Sequence, residues 1–309
     1  MNNSGLVIPI KFKGDEKETV HELYHKLLDV SNQKDKKDYI SHIKSINSWC
    51  LSNININGRS FTFPEIIQAS YDTLWEIVKK YGNRFPAMPD KDKKFMTEYL
   101  YNHRFSQIRE DFSDKLEIKV CPYCNRNFVN SASNRTMCDP DHFFDKKEYP
   151  VMAVSFYNLV PVCHSCNHVK GVQKISYSPH NKKYSTDDLL TFEFYISGID
   201  FLSDENQIEI EIMDDTVIRD NIDKLRLREV YQVHADLVQE CIKKAIVFHL
   251  DYLSYLYRTY VELFESEEEL YRIVYGNYLE EMSYGKRPLA KLTSDIMKGL
   301  LNSCYGLDW

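Results

Sequence analysis

Cys121–Cys124 reads CPYC, Asp139–His142 reads DPDH, and Tyr157–Gly171 reads YNLVPVCHSCNHVKG. Two Cys-x-x-Cys pairs bracket an Asp-His dipeptide and an Asn, and the second pair runs straight into Asn167-His168. A Cys-x-x-Cys turn sets two sulfurs on one side of an ion, and two such turns close a tetrahedron around zinc with no position left open. Cys121, Cys124, Cys163 and Cys166 are therefore expected to hold a structural Zn²⁺. The competing use of Cys-x-x-Cys is the redox turn of thioredoxin-like proteins, and two copies without a βαβ pattern speak against it. Cys138 is the nearby competitor for a ligand position, but it has no close cysteine partner.

Working outward, the other cysteines (Cys50, Cys138, Cys241 and Cys304) are scattered. The start of the chain lacks a signal peptide's apolar stretch, so zinc plus free thiols is a better reading than a disulfide framework, and a cytoplasmic protein is expected. No apolar run approaches the roughly 20 residues that span a bilayer, so no membrane partner is expected. Only 10 glycines and 10 prolines in 309 residues, with 13% aromatics, fit a folded and mainly helical chain of two or so domains. The net charge of −7 argues against bulk attraction to nucleic acid. From Leu116 to Tyr184, however, nine lysines and arginines face five acids. A locally basic module in an acidic chain is compatible with phosphate contact there.

The flanks read as helical. Val20, Leu23, Tyr24, Leu27 and Leu28 recur at helical spacing in Glu16–Ser31, a second helix is expected over Asp35–Leu51, and Asn57-Gly58 marks a turn. Pro64 opens a helix ending before Gly82, and Asp90–Glu110 reads as another. This front part carries no evident chemistry. Leu190–Ser197 and Gln207–Met213 alternate with period two and predict a β-hairpin. A long helix from about Asp220, with a stripe through Leu227, Val230, His234, Leu237, Val238, Cys241, Ile242 and Ala245, follows, and Leu289–Leu301 forms a last one. The predicted fold class is α+β: a mostly helical chain with a central zinc-stapled module and a β-hairpin after it. The boundaries are a helical domain over 1–112, the module over 113–185, and the hairpin with a helical domain over 186–309.

Between the cysteine pairs stand Asp141-His142, Asn158 and Asn167-His168. Hydrolysing a phosphodiester near neutral pH needs a base to activate water, a divalent cation to stabilise the pentavalent phosphate, and a group to hold the base. A histidine with its ordinary pKa near 6.5 suits the first task, and the hard oxygen of Asp141 suits Mg²⁺. Neighbours on a regular strand point to opposite faces. Asp141 and His142 can therefore serve one site only where the strand bends or ends, and Pro140 sits where an ending is expected. Lys170 is a candidate phosphate contact, His164 is expected to face solvent, and His180 is an outlying candidate for the site.

The order C-x-x-C, D-H, N-L, C-x-x-C-N resembles the HNH nucleases, the ββα-metal fold, in their four-cysteine form, over about 60 residues. The resemblance implies that His142 is the general base, that Asp141 is a ligand of a catalytic Mg²⁺ or Mn²⁺, and that Asn158 pins the loop orienting the base. Asn167 falls where the family's last His often stands. This departure leaves Asn167 and His168 as the two candidates for the second ligand. More loosely, the CPYCN…DHFF…NLVPVC…CN..KG core and RPLAKL near the end resemble HNH subunits of bacterial anti-phage defence cassettes of the Septu and retron-associated kinds. That resemblance implies a DNA-cutting effector working with an ABC- or SMC-like ATPase, or within a retron reverse transcriptase complex. The alternatives are a zinc-stapled nucleic-acid-binding module without catalysis and a scaffold for a protein complex.

Overall fold

The computed structural model describes residues 8–29, 36–129, 131–132, 135–136, 138–214 and 216–305. The side chain of Cys304 lies outside the described parts.

The N-terminal stretch folds into α1 (Glu16–Leu28), α2 (Lys36–Asn53), a short hairpin of β1 (Asn55–Ile56) and β2 (Arg59–Ser60), α3 (Phe63–Gln68) and α4 (Tyr71–Tyr81). The helix expected from Pro64 to Gly82 is thus two. Ala69 is extended, and the Ser70 side chain accepts from the Thr73 N–H, starting α4 afresh. A second difference lies in the region read as one helix over Asp90–Glu110. It comprises α5 (Asp90–Lys94), an 11-residue segment of wide, i→i+5 turns over Phe95–Phe105, and α6 (Ser106–Asp114).

The middle of the chain holds β3 (Ser131–Ala132), β4 (Arg135–Thr136), β5 (Asp139–His142), β6 (Leu159–Val162) and α7 (His164–Lys170). β5 and β6 pair antiparallel with Asp141 opposite Val160 and His142 opposite Leu159. β5 ends at His142, as the sharing of one site by neighbouring residues requires. Gly171 closes α7 with its N–H on the Asn167 carbonyl, in the positive-φ conformation (+50°) that glycine adopts without a Cβ clash. The loop between the strands is not solvated. Phe143, Phe144, Tyr149, Val151 and Phe156 are buried. Tyr71 of α4 stacks on Phe144 at 6.1 Å, and the Ser155 hydroxyl donates to the Ile66 carbonyl of α3 at 2.9 Å. The N-terminal helices therefore form the lid of this loop.

After α8 (Thr186–Leu189), β7 (Leu190–Ile196) and β8 (Ile208–Asp214) form the expected hairpin. The long helix expected from Asp220 is interrupted. α9 (Arg219–Lys224) and α10 (Leu227–Tyr231) are separated by Arg226 in the left-handed region, and α11 (Ala235–Val247) follows a short tight turn. α12 (Leu250–Thr259), α13 (Glu267–Tyr275) and α14 (Ala290–Tyr305) complete the chain. The fold is α+β, mostly helical with small two-stranded sheets. One continuous apolar cluster runs from Ile8 to Leu301 through all three stretches. Among the described residues, no helix is long and apolar enough to cross a membrane.

Candidate active site and metal centre

The ligand atoms of Cys121, Cys124, Cys163 and Cys166 all lie within 4.8 Å of one another, and all four residues are buried. The Cys124 and Cys163 sulfurs are 3.9 Å apart, close to the roughly 3.8 Å edge of a tetrahedron with Zn–S bonds of about 2.3 Å. Asn125 follows Cys124 at positive φ (+47°), a conformation that asparagine tolerates better than most residues. It lets the first turn fold back so that the Arg126 N–H donates to the Cys124 sulfur at 3.4 Å. The Cys163 N–H donates to the Cys121 sulfur at 3.3 Å, and the Asn127 amide donates to the Cys163 sulfur at 3.4 Å. Such donors favour thiolates. Burial pushes the Cys121 thiol up, whereas hydrogen bonds from the Cys121, Cys124 and Cys166 thiols hold Cys163 down. The cluster is one able to bind a metal such as zinc. Cys138 stands apart from it, near the Ser113 hydroxyl at 3.7 Å.

A second centre lies on β5 and α7. Asp141 is buried, its Oδ1 accepting from the Lys170 ammonium at 2.9 Å and its Oδ2 from the Tyr123 hydroxyl at 2.8 Å. Lys170 is only 3% exposed and also donates to the His142 carbonyl at 3.2 Å. It is a buried ion-pair partner of Asp141, not an exposed helix lysine. The His142 ring reaches the covered loop. Its Nε2 is 2.9 Å from the Ala153 carbonyl. A carbonyl only accepts, so Nε2 carries the proton and Nδ1 keeps its lone pair. His142 is half-buried by surface area, yet packed closely enough that desolvation, with the nearby Lys146 charge, lowers its pKa to about 3. The ring stays neutral at pH 7.

Asn158 explains how the Ala153 carbonyl is held. Its Oδ1 accepts from the Phe144 N–H at 2.7 Å, and its Nδ2 donates to the Phe144 and Met152 carbonyls, each at 3.0 Å. The loop is clamped one residue before the carbonyl that orients His142. Asn167 donates Nδ2 to Asp139 Oδ2 at 3.1 Å, leaving its Oδ1 without a partner among the described residues. Asp141, His142, Asn167 and Lys170 line one cavity of about 240 Å³, whose rim also carries Lys146, Lys147 and Lys174.

His168 does not line that cavity. It is exposed on α7, its ring 6.5 Å from that of His164, whose Nδ1 donates to Asp139 Oδ2 at 3.0 Å. His164 faces solvent, as its position in the second turn suggested. His180 is buried outside the site. Its Nε2 donates to the Leu159 carbonyl at 2.9 Å, and desolvation lowers its pKa to about 4. A larger cleft of about 740 Å³ lies between β7 and α14, away from these groups.

Two further residues reach the site that motif reading passed over. Tyr123 is hidden in the cysteine turn as an ordinary spacer. Tyr101 comes from the wide-turned segment of the N-terminal stretch. Its ring meets His142 edge-on at 4.4 Å, its hydroxyl donates to the Pro140 carbonyl at 3.0 Å, and the Lys146 ammonium sits over its face at 4.0 Å. Comparison with protein-family models, curated proteins and solved structures found no match to this chain.

Proposed function

We propose that this chain is a metal-dependent endonuclease of the HNH type that hydrolyses phosphodiester bonds in nucleic acid, DNA above RNA. The observation that carries the reading is the state of His142. Its Nε2–H is committed to the Ala153 carbonyl, which leaves Nδ1 unprotonated, and the residue lines the cavity shared with Asp141 and Asn167. That is what a general base for water needs: a fixed tautomer, a neutral ring at working pH and a neighbouring place for the substrate. The sequence order of the two cysteine pairs, Asp141-His142, Asn158 and Asn167 supports the same assignment.

The donor set fits a divalent ion. Asp141 offers carboxylate oxygen and Asn167 an amide oxygen with no partner among the described residues, hard donors of the kind Mg²⁺ or Mn²⁺ takes while keeping several waters. When bound, the ion supplies positive charge to the pentavalent phosphorus and the departing 3′ oxygen. The chain's own residues do the rest. His142 takes the proton of the attacking water at Nδ1, Ala153 and Asn158 keep the ring aimed, and Lys170 holds Asp141. The departing 3′ oxygen takes a proton from solvent, so the products carry 5′-phosphate and 3′-hydroxyl ends. The wider sequence resemblance extends the proposal to an anti-phage effector directed by an ABC- or SMC-like ATPase, with the helical flanks as its docking surfaces.

The test is plasmid DNA, single-stranded DNA and tRNA incubated with and without Mg²⁺ or Mn²⁺, scored for both binding and cleavage. The unmutated protein is expected to cut, and His142→Ala to bind without cutting while retaining zinc and fold. Cleavage by His142→Ala at the unmutated rate would remove it as the base. Binding without cleavage by the unmutated protein in every metal would replace the nuclease with a non-catalytic nucleic-acid-binding module.

A further inference from the structure

Asp141 is held by two donors, and each comes from a different half of the cysteine cluster. Tyr123 is the third residue of the CPYC turn and is fully buried. Lys170 ends α7, the helix that begins beside Cys163 and contains Cys166. The Tyr123 hydroxyl reaches Asp141 Oδ2 at 2.8 Å and the Lys170 ammonium reaches Oδ1 at 2.9 Å. A phenol has one proton to donate, and here it goes to the carboxylate.

We infer that Tyr123 is a positioning residue through which closure of the four-cysteine centre sets the affinity of Asp141 for its divalent ion. This rests on the nuclease reading, in which Asp141 is an ion ligand. A carboxylate held at one oxygen can still swing about its Cβ–Cγ bond; held at both, its plane is fixed and its remaining lone pairs have set directions. Mg²⁺ demands near-octahedral ligand placement, so a fixed carboxylate binds it better than a free one. Hydrogen-bond partners of metal ligands are typically worth about 10- to 100-fold in metal affinity or activity. The four sulfurs tie the two donors to one another, because one precedes Cys124 and the other follows Cys166.

The experiment is a Mn²⁺ titration of DNA-free protein followed by electron paramagnetic resonance, with zinc content measured in parallel, for the unmutated chain, Tyr123→Phe and Asp141→Asn. The phenylalanine keeps the ring and loses only the hydroxyl. Expected are one zinc per chain throughout, loss of the Mn²⁺ site in Asp141→Asn, and a Mn²⁺ midpoint roughly 10- to 100-fold weaker in Tyr123→Phe. An unchanged midpoint in Tyr123→Phe overturns the inference and leaves the nuclease reading standing. Equal Mn²⁺ binding by the unmutated chain and Asp141→Asn, or none by either, overturns that reading and the inference with it. If Tyr123→Phe loses zinc or fails to fold, the unmutated chain loaded with Co²⁺ at the cysteines decides. Its cobalt–thiolate absorption should change as Mg²⁺ saturates the second site, and a spectrum indifferent to Mg²⁺ overturns the inference.

Discussion

Asn158 is 0% exposed and spends its amide on three hydrogen bonds within one loop. Replacing it with alanine strands the Phe144 N–H and carbonyl, while the Met152 carbonyl keeps the Ser155 N–H at 3.1 Å, and each unsatisfied buried group costs about 1–3 kcal/mol. Partial collapse of the loop recovers some of this, so Asn158→Ala is expected to lose about 2–4 kcal/mol in chemical denaturation of zinc-loaded protein. It should also cut far more slowly, because the Ala153 carbonyl is no longer held against His142 Nε2. An Asn158→Ala protein as stable and as active as the unmutated one would sink this account. The residues of this site were largely legible in the sequence because each is chemically specific and stands in a recognisable order. What the sequence left open between Asn167 and His168 depends on helix phase. Asn167 and Lys170 stand three apart on the face of α7 turned to β5, whereas His168 is rotated toward solvent. Tyr123 was illegible for the opposite reason. A tyrosine between two cysteines is an unremarkable spacer until Asp141, 18 residues on, folds back to meet it.

At the scale of elements, strong periodicity was readable and its interruptions were not. The β7–β8 hairpin followed from strict alternation, with Phe192 and Ile212 buried on one face and Glu193 and Glu211 exposed on the other. The breaks at Ala69 and Arg226 carry neither glycine nor proline, so local composition gave no stop signal; capping by Ser70 and a left-handed Arg226 do the work instead. The wide turns over Phe95–Phe105 are the most consequential of these departures, since such segments shift the side-chain phase and occur often at functional sites. Here they carry Tyr101 to His142. Tyr101→Leu removes both the ring against the imidazole and the hydroxyl on Pro140. It should slow single-turnover cleavage roughly 10- to 100-fold, as a misplacement near 1 Å does, with zinc content unchanged. Tyr101→Phe keeps the ring and should fall between. A leucine variant cutting at the unmutated rate would reduce Tyr101 to packing.

Across the whole molecule, the three stretches share one core, and the joints between them are polar and specific. Asn125, inside the first cysteine turn, donates to the Tyr284 carbonyl at 2.8 Å, accepts from the Lys291 N–H at 3.1 Å, and through its own carbonyl accepts from the Leu289 N–H at 2.6 Å. The RPLAKL segment is thereby docked on the cysteine cluster, a contact between residues some 160 positions apart that no local pattern could reveal. Charge is organised on the same scale. The chain carries −7, yet the rim of the candidate site presents Lys146, Lys147 and Lys174. A polyanion approaching the cavity therefore meets attraction locally and repulsion from most of the remaining surface. Screening weakens both, but counterion release at the phosphates actually contacted dominates the equilibrium. Binding of duplex DNA by His142→Ala should thus fall linearly in log K against log salt, with a slope near −0.9 for each phosphate neutralised. Lys147 is exposed and has no ion-pair partner among the described residues, unlike Lys174, which pairs with Glu148 at 2.7 Å. Lys147→Ala should therefore lower the magnitude of the slope by about 0.9, and Lys174→Ala by less because its loss also frees an acid. Fluorescence anisotropy between 50 and 200 mM salt, the range over which about 6–10 phosphate contacts cost 10³–10⁵ in affinity, measures both. A slope indifferent to Lys147→Ala would move the nucleic-acid path away from this rim.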